Sequence, residues 1–530
     1  MKNTWLALAL LVAQSVGATG ARAQTFPTDD PVIERMWQEG MEDGSQVFEL
    51  AQALLDSIGP RLMGSPGYAA AGDWLAGKYG SWGIEAERQE YGTWRGWDRG
   101  YSHIDLISPR VRTLSGMILA WSPGTDGPIE GEVVVPPSFA GPAEFAAWLP
   151  SVRGKIVALS FAEPTCREDE SWIDHATPET FERMTVERDR ARQAYAASQR
   201  AMGQGSAQRI EEAGAIAVLT ARWSAGWGVD KIFDSPTERI PGVHLSCEDY
   251  GLVARLAERG QSPRLRIDAQ AEFLGDVPAF NVVGRIPGTE LPDEYVLLSA
   301  HLDSWDGASG ATDNGTGTIM MAEAMRILKA AYPNPRRTIL VGHWGGEEQG
   351  LVGSTAFAAD NPEVIDGLQA AFNQDNGTWR IDYIRMMGFT GAGEHFARWF
   401  SALPNQITDA IELDVPGMPE SGGSDHMSFI CAPAPGFRLQ SSYPDYRQYT
   451  WHTNLDTFDK VVFDDLRNNA TLAAMLAYMA SEDPERVPRD TRVLPSTRPD
   501  APRIASRRTM AASAVGQWPE CRPPRRSYGG

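Results

Sequence analysis

Basic surplus is the first thing this sequence is short of. Of its 530 residues, 48 are Lys or Arg against 69 Asp or Glu, a net charge of −21. A nucleic-acid partner is argued against, because such binding rests on cations that release counterions. Cysteine is scarce as well: Cys166, Cys247, Cys431 and Cys521 are the full set. Their spacing fits no zinc-knuckle pattern, and none has a catalytic context. Cys166 and Cys247 fall in one presumed domain, but sequence does not pair them. Beyond the first residues no apolar run approaches the length of a membrane helix. The glycines at Gly345-Gly346 lack the lysine and spacing of a phosphate-cradling loop. Ser424 is not in a nucleophile elbow, so no serine triad can be assembled.

The start of the chain reads as an export signal over residues 1–23. Lys2 supplies a positive charge, residues 5–12 are apolar, and Ala21-Arg22-Ala23 is a small-x-small cleavage site. The expected location is periplasmic or secreted, with no membrane contact after cleavage. Such a compartment permits disulfides. Five hundred or so remaining residues are too many for one ordinary core, so two or three domains are expected.

Hydrophobic periodicity divides the rest. Val47, Leu50, Ala51, Leu54 and Ile58 recur at helical spacing, and Gly59-Pro60 ends that helix. Ser65-Pro66 has the form of an N-cap followed by proline at the first helical position. Residues 24–127 are assigned to the first part of a catalytic domain. Residues 128–270 change texture, with short apolar runs at 132–135, 155–159, 215–219 and 243–245. A charged helix at 178–202 and a helix at 247–258 interrupt them. The expectation is a strand-rich inserted domain. Residues 271–482 alternate strand, loop and helix: strands at 295–299 and 338–341, helices at 314–330, from 351, and at 464–479. This predicts an α/β fold whose central sheet carries helices on both faces. Residues 483–530, rich in Pro and Arg, are expected to be disordered.

Ligand-type side chains then fall at five places: His301-Leu302-Asp303, Asp313-Asn314-Gly315, Glu347-Glu348, Asp375 and His452. Most of them come just after a predicted strand, and open α/β sheets bind ligands at the carboxyl ends of their strands. Zinc takes imidazole nitrogen and carboxylate oxygen. Two zinc ions repel each other, and a bridging carboxylate offsets that repulsion. Asp313 is the natural bridge. Glu348 and His452 then complete one metal, and His301 and Asp375 the other. Glu347 points away from its neighbour and is left as the base that takes a proton from the water between the metals. Asp303 is placed to hold the second ring nitrogen of His301, and Asp456 to do the same for His452. His343 is a weaker candidate for such a supporting role. His103, His175, His244 and His395 are read as structural, and His426 as shaping a substrate pocket.

Several longer motifs extend this pattern. They are Asp313-Asn314-Gly315-Thr316-Gly317, Gly346-Glu347-Glu348-Gln349-Gly350-Leu351-Val352-Gly353-Ser354, Ser424-Asp425-His426 and His452-Thr453-Asn454-Leu455-Asp456-Thr457. In type, order and spacing they resemble the co-catalytic zinc exopeptidases, the family of bacterial leucyl aminopeptidases, carboxypeptidase Q and glutamate carboxypeptidase II. Ile58-Gly59-Pro60-Arg61-Leu62-Met63-Gly64-Ser65 is similar to the carboxypeptidase Q branch. The resemblance spans residues 45–480. It implies two Zn2+ ions, a mixed central sheet, a protease-associated insert, peptide substrates and a cis peptide after Asp313. It leaves a homodimer open. One departure stands out: some relatives place an oxyanion-stabilising Tyr before the last histidine, where this chain has Trp451. Tyr443, Tyr446 and Tyr449 are the alternatives. The expected activity is hydrolysis of peptides or dipeptides with a free N-terminus. The rivals are a carboxypeptidase action and a single-zinc glutaminyl cyclase. A binding protein on a dead scaffold would have lost ligands, and none is missing.

Overall fold

A computed structural model of the chain describes residues 30–42, 44–375, 377–420, 422–442, 444–493 and 518–529. The expected signal segment lies outside the described residues. Among these residues no helix is long and apolar enough to cross a membrane.

Four buried parallel strands form the heart of the sheet. Arg337–Trp344 lies beside Leu291–His301, then come Leu368–Gln374 and Gly436–Ser441. Every residue of Arg337–Trp344 and of Leu368–Gln374 is buried. That explains their continuous apolar reading, since both faces are covered by helices. Ile381–Arg385 joins antiparallel to Gly436–Ser441, so the sheet is mixed. On one face Thr316–Ala331 packs between Phe463–Glu482 and Pro31–Met41. Its Ile319, Met320, Ile327 and Leu328 are fully buried. Each such side chain is worth about 1.5–3 kcal/mol of apolar burial. The Ser65 cap is present, its side chain accepting from the Tyr68 N–H with Pro66 at the first helical position.

Two long strands, Glu85–Ser108 and Arg264–Ile286, pair antiparallel along nearly their whole length. They carry the sheet out of the catalytic half and into residues 128–270. There Ile129–Val134, Ile156–Ala158, Ala217–Thr220 and Gly242–Leu245 run parallel. A separate strand-rich inserted domain is not evident: the strands of residues 128–270 continue the same sheet. Parallel neighbours need crossover connections, usually helical. Helices Pro142–Trp148, Pro178–Met202, Ser206–Glu212 and Cys247–Glu258 occupy far more of the segment than its short strands do. A disulfide joins Cys166 to Cys247.

The far end of the chain also departs from expectation. Residues 518–529 are ordered against the catalytic half. Cys521 is bonded to Cys431, and the Trp518 indole donates to the Ile430 carbonyl at 2.7 Å. Arg526 pairs with Asp360, and Arg525 donates to the Gln349 carbonyl at 3.0 Å. A covalent tether and aromatic anchors hold a Pro/Arg-rich stretch that composition alone reads as loose.

Candidate metal centre

The centre forms where the parallel strands end. His301 is the last residue of Leu291–His301. Asp375 directly follows Leu368–Gln374. Asp313 lies in the turn Ala311–Gly315 that opens the buried helix, and its bond to Asn314 is cis. Glu347 and Glu348 follow Arg337–Trp344 through a turn at Gly346, whose φ of 73° suits glycine. A side chain there would meet Met63 Sδ at 2.4 Å. His452 itself has a φ of 60°, and its carbonyl accepts from the Ile232 N–H of the insert at 2.8 Å.

Two donor sets result, sharing one carboxylate. His301, Asp313 and Asp375 offer ligand atoms that lie within 4.8 Å of one another, and so do Asp313, Glu348 and His452. His301 Nε2 is 3.4 Å from Asp313 Oδ1 and 3.4 Å from Asp375 Oδ1. His452 Nε2 is 3.3 Å from Asp313 Oδ2 and 2.9 Å from Glu348 Oε2. Thus each oxygen of Asp313 faces a different imidazole. Ligands bound tetrahedrally at about 2 Å stand about 3.3 Å apart, so these spacings fit an ion between them. The unmet atoms agree. His301 Nε2, Asp313 Oδ2 and Glu348 Oε1 are buried with no hydrogen-bond partner. Such atoms are costly unless something else satisfies them. His301 Nδ1 lies 3.0 Å from the Asp303 carbonyl, so with a metal bound that nitrogen would keep the proton and Nε2 would present its lone pair. Nitrogen with carboxylate oxygen is a donor set suited to zinc.

The electrostatics point the same way. Burial alone would raise the Asp313 carboxyl, but the His301 and His452 rings hold it far below the ordinary carboxylate range. Burial, and then the charge of Asp313, pushes Glu348 up to about 7 against the pull of His452. Burial raises Glu347 well above its ordinary value, opposed by His301 and reinforced by Asp375 and Asp425. The pocket carries more negative charge than its own rings offset, a condition that divalent cations relieve.

The structure brings together all five residues expected to hold metal and keeps Glu347 out of both donor sets. The two carboxylates expected as supports make main-chain contacts that were not expected. Asp303 accepts from the backbone N–H groups of Glu347 and Glu348, at 3.1 and 3.3 Å, while its side-chain oxygen is 3.6 Å from His301 Nδ1. It therefore holds the main chain of both Glu347 and Glu348. Asp456 accepts from the N–H groups of Thr312 and Asp313, at 2.8 and 3.1 Å, and so fixes the bridge, not His452. His343 is turned to the Tyr79 hydroxyl at 2.6 Å, and burial lowers it to about 3. His426 Nε2 meets Glu420 at 3.0 Å and is no ligand. Tyr443 lies outside the described residues. The Tyr449 hydroxyl meets Glu168 and Gln448, both from beyond the metal ligands.

Three groups escaped the sequence reading. Arg61 is wholly buried under the loop after His301 and donates to the carbonyls of Leu302, Gly59, Ser309 and Gly310 at 2.6–3.0 Å. In sequence it stood only within Ile58-Gly59-Pro60-Arg61-Leu62-Met63-Gly64-Ser65, with no role attached to it. Asp425 is fully buried with both oxygens unpartnered, and burial pushes it up to about 7. Lys231 comes from the insert and reaches Trp451. Burial, and then Arg447, lowers it to about 7. Nothing local in the sequence marks it.

An α/β sheet whose strand ends carry two candidate metal-ligand sets joined by one carboxylate is the arrangement of a dinuclear metal site. Residues 281–477, which contain every candidate ligand, match the model of peptidase family M28. The chain is similar to carboxypeptidase Q of Mus musculus, 28% identical over 453 residues, covering 83% of this chain and 87% of that protein. Its fold is similar to that of a peptidase M28 precursor from Shewanella amazonensis, with a TM-score of 0.62 and 23% identity over 86% of this chain and 98% of that one. A zinc aminopeptidase from Bacillus subtilis shares the fold at a TM-score of 0.51 and 18% identity, covering 81% of this chain and 93% of that one.

Proposed function

We propose that this chain is an exported zinc-dependent exopeptidase that hydrolyses peptides or dipeptides with a free N-terminus. The observation that carries the reading is the Asp313 carboxylate, with one oxygen toward His301 and the other toward His452. His301 with Asp375 would hold one zinc, Glu348 with His452 the other, and Asp313 both. When bound, zinc acidifies water and polarises the scissile carbonyl. The chain's own residues do the rest. Glu347, oriented through the bond from its N–H to Asp303, takes the proton of the attacking water at its carboxylate and delivers it to the leaving amine. Asp456 and Arg61 keep the bridge and the loop after His301 in register. Two disulfides suit an oxidising compartment.

Carboxypeptidase action is the second reading, supported by the similarity to carboxypeptidase Q. A single-zinc cyclase is disfavoured by the complete second donor set. A panel of aminoacyl-anilides, free dipeptides and N-blocked peptides, assayed with zinc supplied and stripped, decides between them. Zinc-dependent cleavage of the free-amine substrates is expected. Cleavage confined to N-blocked peptides would overturn the free-N-terminus reading.

A further inference from the structure

The insert is built into the wall of the metal centre. Residues 224–232 are stitched to the loop that carries His452. Ile232 N–H donates to the His452 carbonyl at 2.8 Å, and Asp230 and Asn454 exchange bonds at 2.8 and 3.0 Å. Ser224 donates to the Gln448 carbonyl at 2.7 Å. The Phe233 ring stands edge-on to His452 at 5.0 Å. This arm delivers one side chain of unusual character. Lys231 is 7% exposed, and its ammonium donates to the Trp451 carbonyl at 2.6 Å and lies 4.5 Å from the Trp451 ring centroid. Among the described residues no carboxylate comes within ion-pair distance of it. Ammonium has three donors, and a buried cation without a counter-ion is costly. The carboxylate that acts on its charge is Asp313, the shared ligand itself. The Arg447 guanidinium stands 4.4 Å from the same Trp451 ring, and that of Arg222 lies 4.2 Å from Phe233. In a chain of net charge −21, three cations converge on the two rings that flank His452.

We infer that Lys231, carried in by the insert, is the receptor for the free C-terminal carboxylate of a short peptide bound at the metal centre. The geometry names the substrate class. In a dipeptide the terminal carboxylate lies one residue beyond the scissile carbonyl, a span of about 3.5 Å. The Lys231 main chain bridges to that of Thr453, and its ammonium lies against the Trp451 ring, which stands 4.0 Å from the ring of the candidate ligand His452, so the cation is beside the metal centre and not at a distant subsite. A substrate carboxylate there completes a charge-assisted pair with a cation that has no other. Arg447 and Arg222 add positive field at the exposed side. The arrangement favours dipeptides, or release of single C-terminal residues, over long chains whose carboxylate falls elsewhere.

This inference rests on the exopeptidase reading, and its test separates the two. The zinc-loaded full chain is assayed on an uncharged dipeptide and on its C-terminal amide. The wild type should prefer the free acid by tenfold or more in kcat/KM. In Lys231→Met that ratio should collapse toward one, mainly through a higher KM for the acid, with zinc content and melting temperature kept. Lys231→Arg should keep part of the preference. As a measure needing no variant, the free product amino acid should inhibit the wild type more strongly than its amide. An unchanged ratio in Lys231→Met, or equal inhibition by acid and amide, overturns the assignment to Lys231. A wild type that cleaves neither substrate overturns the exopeptidase reading, and this inference with it.

Discussion

The catalytic half and the insert are built alike and finished differently. Each has short, buried parallel strands joined by helices. In residues 128–270, several polar groups at the strand ends find partners inside the fold, while His244 Nδ1 and Asp230 Oδ1 stay buried without a hydrogen bond, 3.3 Å apart. The Tyr250 hydroxyl both donates to the Ser160 carbonyl at 2.7 Å and accepts from the Ser160 N–H at 2.8 Å. The Arg222 N–H donates to His244 at 2.8 Å. In the catalytic half, the strand ends present His301, Glu348 and Asp313 with buried atoms that meet no donor or acceptor. The same architecture thus serves stability in one place and chemistry in the other. What separates them is that the unmet atoms of the catalytic half belong to two ligand-type sets sharing Asp313.

That contrast can be broken by substitution. The largest effect should come from Glu347→Gln, which keeps both donor sets and removes the proton carrier. A fall in kcat of about 10³-fold is expected, with zinc content unchanged. Retained hydrolysis would remove Glu347 from its role. Next is Asp456→Asn, which weakens the hold on the Asp313 main chain. Zinc affinity should drop by about 10–100-fold in a chelator competition, with little change in urea midpoint.

Glu420→Gln probes a paired cluster within the catalytic half. Burial alone would raise Glu420, but Arg438 and His426 hold it below the ordinary glutamate range. Its folded value is depressed, so the unfolded chain binds the extra proton and stability rises with pH. Wild-type stability from this group should be fully present above the ordinary glutamate value of about 4.3, begin to fall below it, and go on falling as pH drops through the depressed folded value. The variant should be less stable by about 3 kcal/mol at neutral pH and should lack that component of the acid loss. Equal acid sensitivity in both proteins would refute the pairing. The smallest effect is expected in the insert, where Tyr250→Phe leaves both Ser160 backbone groups unmet. A loss of about 1–2 kcal/mol by urea denaturation is expected, with zinc affinity untouched. A changed zinc affinity there would erase the distinction between the halves.

The ligands were legible because each sits at a predictable strand exit or turn. His301 and Asp375 follow runs of buried apolar residues, and Asp313 opens a helix whose periodicity is plain. Asp303 was read against His301, and its carboxylate does lie 3.6 Å from His301 Nδ1, but its main-chain partners and those of Asp456 were not read. These partners are backbone N–H groups of Glu347, Glu348, Thr312 and Asp313, which every residue carries and no sequence distinguishes. The long pair Glu85–Ser108 and Arg264–Ile286 was not expected, because its polar, part-exposed faces blur the alternation that marks a strand. Lys231 was invisible for a topological reason. Its partner Trp451 is 220 residues away in the chain. The order of residues 518–529 depends on a disulfide across 90 residues, which composition cannot show.

Zinc titration of the metal-stripped chain, followed by calorimetry and elemental analysis, tests the central claim most directly. Two equivalents of zinc per chain are predicted, with Asp313→Ala weakening both sites together because both draw on that carboxylate. Saturation at one equivalent, or an Asp313→Ala chain that still binds two zinc ions with wild-type affinity, would contradict it.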